Sequence, residues 1–117
     1  MDYKQLDNDD LSVFQEMIGS KYVFSDTQQL LDYGHDETED LSFPPEVVLK
    51  PFTTKEISAI LKYCNEKRIA ITACGARTGL SGGSLPVFGG VALSLERLNS
   101  IIEIDERNLQ ATVQPGV

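Results

Sequence analysis

Four glycines, two serines and a threonine fall between Ala73 and Pro86, in the run ACGARTGLSGGSLP, with aliphatic and β-branched stretches on either side. That composition suits one chemistry, the cradling of phosphate by main-chain N–H groups. Glycine allows φ > 0 and lacks the Cβ that would hold a ligand away, and successive N–H groups in such turns point inward to form a concave anion site. Two familiar phosphate loops are excluded by spacing. A P-loop needs GxxxxGK[ST], but Gly75 is followed by Gly79, Leu80 and Ser81, and the loop holds no Lys. The dinucleotide fingerprint GxGxxG opens a helix directly, whereas this loop has no GxG and runs into Ser84, Leu85 and Pro86. On composition alone, a glycine-rich turn is as often an ordinary loop as a ligand site.

Other reactive side chains are few. Cys64 and Cys74 do not form a CxxC pair, and His35 is the sole histidine, so zinc spacings are absent and no metal site is expected. Both thiols are expected to be reduced. Cys74 stands at the mouth of the glycine loop, where N–H groups could lower its pKa; a small residue filling a strand-to-loop turn is the preferred reading. His35, in YGHDETED, reads as a solvated loop histidine. No catalytic residue is nominated.

These residues must be held by a small scaffold. The chain has 117 residues, 41% hydrophobic and 24% charged, enough for one modest core and typical of globular usage. No apolar run reaches the roughly 20 residues of a membrane span. The opening MDYKQLDNDD has neither a basic end nor an apolar stretch, so no signal peptide is expected and the cytoplasm is the expected location. The net charge of −8 is unevenly spread. Residues 1–46 carry twelve Asp or Glu against Lys4 and Lys21, a net of −10, and residues 47–117 carry six acids against eight Lys or Arg, a net of +2. With no basic cluster, nucleic acid and anionic membranes are not expected partners. The acidic part reads as a solvated face.

Periodicity supplies the elements. NDDLSVFQEMIGS offers Asn8, Asp9 and Asp10 as caps or first-turn acids, sets Leu11, Phe14, Met17 and Ile18 on one helical face, and stops at Gly19. KYVFSD reads as extended, with Ser25 or Asp26 capping a short helix over Thr27 to Tyr33. GHDETEDLSFPP reads as an irregular linker or lid. Val47 to Leu49 form a strand closed by Pro51. A helix follows, with Thr53 and Glu56 at capping-box spacing and Ile57, Ile60, Leu61 and Cys64 as its apolar stripe. RIAITA is the next strand, so the unit is βαβ with parallel strands and a right-handed crossover. The glycine loop then leaves the C-terminal end of a parallel strand, where ligands bind in open α/β sheets. Some seventeen aperiodic residues follow before Val91 to Leu95, a length expected of a functional or disordered loop. Ile101 to Ile104 and Ala111 to Val113 read as a hairpin joined by DERN. The fold class is α+β, α/β-like: a βαβ unit with short strands and a hairpin, divided into an acidic helical segment (1–44) and a sheet subdomain (45–117).

The succession GARTGLSGGSLP, VALSLERLNSIIEID and ATVQPGV resembles one family in all three parts. It is similar to the N-terminal part of the FAD-binding domain of the vanillyl-alcohol oxidase or PCMH type, within the glycolate oxidase flavoprotein subunit and D-lactate dehydrogenase group. The resemblance covers about Pro45 to Val117. It implies that backbone N–H groups of Gly75, Ala76, Arg77, Thr78 and Gly79, with Gly83 and Ser84 on the return, hold the FAD pyrophosphate. Arg77 departs from the small residue often found there; its guanidinium either neutralises diphosphate charge or points to solvent. Cys74 stands where many members have Arg. Thr78 stands where some relatives attach flavin through His, so FAD binding is expected to be non-covalent.

The resemblance further implies a flavin-dependent oxidoreductase acting on a D-2-hydroxy acid, glycolate or D-lactate, of which this chain is an N-terminal fragment, inactive alone. Substrate would bind through a cap domain outside these residues. The base and the carboxylate-binding cation that such oxidation needs are not among them. Left open are another PCMH-type oxidase or synthase, and a non-catalytic assembly or anion-binding module. Oligomeric state is not legible.

Overall fold

The computed structural model describes residues 3–26, 28, 30, 45–74 and 89–115. Helix α1, Asn8–Ile18, is capped by Asp7 rather than by Asn8, Asp9 or Asp10. The Asp7 side chain accepts from the Asp10 N–H, while Asp10 accepts from the Asp7 N–H, a reciprocal box that fixes the first turn one residue earlier than expected. Phe14 and Ile18 are buried, and the helix stops at Gly19. A short 3₁₀ turn, Ser20–Tyr22, leads into β1, Val23–Phe24. Gln28 and Leu30 are helical, and Leu30 N–H donates to the Asp26 carbonyl; the other residues of the expected Thr27 to Tyr33 helix, and residues 34–44 with His35, lie outside the described residues.

Strand β2 spans Val47–Leu49, helix α2 Thr54–Lys67, β3 Ile71–Cys74 and β4 Val91–Ser94. The Thr53–Glu56 capping box forms as expected. Along α2, Ile60 and Cys64 are buried, but Leu61 is 45% exposed and lines an open groove with Tyr3 and Asn65 rather than joining the core. A 3.6-residue stripe sets direction but not width, and Leu61 falls beyond its edge.

The four-stranded sheet runs β1-β2-β4-β3, with β1 antiparallel to β2 and the other pairs parallel. The βαβ expectation holds in direction, since β2 and β3 are both parallel to β4. They are not neighbours: β4 inserts between them, pairing Val48 with Ala92 and Thr72 with Ala92. Alternation along the strands feeds two cores. Val47, Leu49, Val91 and Leu93 face α1 and α2 and pack with Phe14, Ile18, Ile60, Cys64 and Ile69. Val48, Ala92 and Cys74 pack on the opposite face with Phe24 and Leu30. Burial on both faces accounts for the unbroken apolar run of β2.

A polar tie draws the N-terminal arm onto α2. The buried Asp10 carboxylate accepts from Tyr63 OH at 2.6 Å and pairs with Lys4 Nζ, and Lys4 N–H donates to the Arg68 carbonyl at 2.7 Å. Burial opposes ionisation of Asp10, but the Lys4, Tyr63 and Asp7 hydrogen bonds outweigh it and hold the carboxyl below the usual range. The hydrogen bond to Asp10, with burial second, pushes Tyr63 up to about 12. Burial, then the Asp10 charge, pushes the Cys64 thiol up to about 12, so this cysteine stays a protonated core residue.

The last element is a separate two-stranded sheet, β5 (Ile101–Asp105) with β6 (Gln110–Val113), antiparallel and irregular between Ile101 and Glu103. Asp105 closes its turn, accepting from the N–H groups of Arg107 and Asn108 and from Asn108 Nδ2.

Candidate functional site

Two points on the sheet frame the glycine loop. At the C-terminal edge, β3 ends at Cys74, whose side chain is fully buried against Val48 and Ala92. Its carbonyl accepts from Leu95 N–H at 2.9 Å, so the departure point is tied to the end of β4. Cys74 is thus a packed, small residue at the strand end, as its sequence context suggests. The seven residues expected to cradle the pyrophosphate, Gly75, Ala76, Arg77, Thr78, Gly79, Gly83 and Ser84, lie outside the described residues.

At the opposite edge the chain rejoins the sheet through Gly89 and Gly90, with φ +72 and +68. A Cβ on Gly90 would collide with the Ala70 carbonyl oxygen, so only glycine brings this backbone close enough for Val91 N–H to reach the same oxygen at 2.8 Å. Glu46 completes the junction. Its Oε2 accepts from Gly90 N–H at 2.8 Å, its Oε1 from Leu6 N–H at 3.0 Å, and its own N–H donates to the Gly90 carbonyl at 2.8 Å.

The C-terminal edge also carries a cation cluster that sequence reading missed. The Arg97 guanidinium carbon stands 3.5 Å from the centroid of the Tyr22 ring and 4.9 Å from that of Phe52, and Nη1 donates to the Lys50 carbonyl at 2.8 Å. Lys50 Nζ lies 4.6 Å over Phe24 and pairs with Glu96 at 2.8 Å. These contacts bind the segments after β2 and β4 to β1 and its preceding turn. Nothing in local sequence marks them, because the partners come from three separate stretches.

The frame fits a phosphate-bearing cofactor in one testable respect. Neighbouring parallel strands β3 and β4 are joined by a connection that leaves a C-terminal strand end, where backbone N–H groups of a glycine-rich stretch can meet an anion. Among the described residues no helix is long and apolar enough to cross a membrane.

Residues 45–117 match the family described as FAD binding domain. The chain is 47% identical over 87 residues to the glycolate oxidase subunit GlcD of Bacillus subtilis (strain 168), covering 74% of this chain and 18% of that protein. It is 36% identical over 116 residues to the D-lactate dehydrogenase of Anaerostipes hadrus, covering 98% of this chain and 24% of the relative. Among solved structures, p-cresol methylhydroxylase with substrate bound matches with a TM-score of 0.78 at 26% identity, over 94% of this chain and 22% of the other. The chain spans 18% and 24% of the length of these two relatives.

Proposed function

This chain belongs to the FAD-binding domain family, whose cofactor is FAD, and on that premise we propose that it is the pyrophosphate-holding N-terminal part of a flavoprotein oxidising a D-2-hydroxy acid of the glycolate or D-lactate type. The observation that carries the reading is the match over residues 45–117, which spans the glycine loop, both of its anchors and the hairpin. FAD, when bound, supplies the acceptor for the hydride leaving the α-carbon.

The residues of this chain bind rather than react. Backbone N–H groups of Gly75, Ala76, Arg77, Thr78, Gly79, Gly83 and Ser84 would hold the diphosphate, and Thr78 leaves the cofactor non-covalently bound. Substrate would meet its base and its carboxylate-binding cation on parts of the protein beyond these residues. The division at 44/45 follows where the match begins, although packing crosses it through Phe14 and Ile18. Two free, buried cysteines suit a reducing cytoplasm.

The test is flavin content. The longest natural polypeptide containing these residues should purify with flavin absorbance or acquire it on incubation with FAD; a colourless protein after incubation overturns the reading. Gly79→Val in that polypeptide should lower FAD retention, because a branched side chain blocks backbone approach to the diphosphate. Unchanged flavin content would remove the loop from the site. The exposed isoleucines of β5 favour a second reading, an assembly module, which predicts folding without any flavin uptake.

A further inference from the structure

We propose that Glu46 is a positioning residue for the cofactor loop, through which the N-terminal arm holds the loop's return end in place. The inference rests on the flavin reading above and concerns a residue that would not touch the cofactor.

The geometry singles out Glu46 because both of its carboxylate oxygens are committed to main-chain donors from distant segments. Oε1 takes the Leu6 N–H at 3.0 Å, forty residues earlier, and Oε2 takes the Gly90 N–H at 2.8 Å, forty-four residues later. No other described side chain joins the arm, the start of β2 and the start of β4 in this way. The arm is itself fixed on its other side, by Lys4 N–H on the Arg68 carbonyl and by Lys4 Nζ on Asp10. Glu46 therefore passes the restraint of α1 and α2 to Gly90.

Gly90 has little freedom to move without it. Its carbonyl accepts from both Glu46 N–H at 2.8 Å and Val47 N–H at 3.3 Å, and its backbone lies too close to Ala70 for any side chain. Gly89, one residue nearer the loop, would place a Cβ 3.5 Å from the same Glu46 carboxylate, so the side chain covers the junction as well as bonding it. Both flanking glycines have positive φ, a conformation that glycine adopts without the strain a side chain would bring. The carboxylate bonded to the Gly90 N–H adds a side-chain restraint to these main-chain ones where the loop rejoins the sheet. A binding loop whose ends are fixed has less conformational freedom left to lose when a ligand binds, and so binds it more tightly.

The experiment compares Glu46→Ala, Glu46→Gln and a core control, Ile60→Val, in the longest natural polypeptide containing these residues. Measured are FAD affinity by titration of the apoprotein, thermal midpoint without FAD, and amide hydrogen exchange across residues 85–93. Glu46→Ala should weaken FAD binding by at least about fivefold, the loss expected when a main-chain donor is left without its carboxylate partner. It should also speed exchange at Gly90 and Val91 beyond Ile60→Val at equal or smaller loss of thermal midpoint. Glu46→Gln, which keeps one accepting oxygen, should recover part of both. Affinity within fivefold of the unsubstituted protein, or a loss matched by Ile60→Val, overturns the positioning role and leaves the flavin reading standing. Failure of the unsubstituted protein to take up FAD removes both.

Discussion

The four-stranded sheet and the hairpin are built from similar residues and end in opposite conditions. In β2, Val47, Val48 and Leu49 are fully buried, and β4 is buried throughout. In β5, Ile101 is 59% exposed and Ile102 and Ile104 are each 65% exposed, while Leu109 at the turn reaches 92%. The difference lies in cover, not composition. The sheet has α1 and α2 on one face and Phe24 and Leu30 on the other, whereas the hairpin is held by its own ladder, the Asp105 turn and the reciprocal Ser100–Gln114 bonds. An isolated two-stranded ribbon gains little stability in water, so the stability of this chain should reside in the sheet.

That contrast can be broken most directly at Phe14, which lies fully buried and meets Tyr63 edge-on, with centroids 5.4 Å apart. Phe14→Ala should cost about 3–5 kcal/mol in a urea titration followed by far-UV circular dichroism. A loss below 1 kcal/mol would mean that the helices do not cover the sheet.

A smaller effect is expected at the tie between arm and α2. Tyr63→Phe keeps the ring and loses the bond to Asp10, costing about 1 kcal/mol near neutral pH. The pH dependence follows from the two shifts. Asp10 is depressed in the folded state, so its contribution is present above the unfolded value near 3.9 and is lost as pH falls through the folded one. Tyr63 is raised to about 12, so its contribution is present below the ordinary value near 10 and is lost as pH rises from about 10 to 12. Stability measured against pH should decline on both sides of a plateau, and Tyr63→Phe should flatten the alkaline limb.

The smallest effect should come from the hairpin. Ile102→Lys is expected to change stability by no more than about 0.5 kcal/mol in this chain, because the side chain is largely in water already. A loss near that of Phe14→Ala would show that the hairpin is covered in solution and would dissolve the contrast.

Local chemistry was legible and distant pairing was not. Thr53 and Glu56 declared their capping box because both partners lie within one turn. The start of α1 was misplaced because Asp7, Asn8, Asp9 and Asp10 are all competent caps, and only the reciprocal Asp7–Asp10 bonds choose among them. The hairpin was legible from a turn rich in polar residues between two apolar runs. Insertion of β4 between β2 and β3 could not be read, since strand order depends on tertiary packing rather than on any local period. Glu46 escaped notice for a related reason: a lone carboxylate before a strand reads as a solvated charge until Leu6 and Gly90 are brought to it. The glycine-rich stretch stood out by residue type and spacing, and the Cys74 and Gly90 contacts on either side of it emerged only from the structure.

The order of the strands carries a consequence for synthesis of the chain. The middle strand of the parallel trio, β4, is the last of the three to leave the ribosome, and β2 and β3 make no ladder with one another. Until residues 91–94 emerge, the earlier strands lack their shared partner, and the loop that precedes β4 has only one end attached. Joining of the three parallel strands and attachment of the second end of the connection before β4 therefore coincide, so that connection is not tied at both ends until it has a folded body to support it.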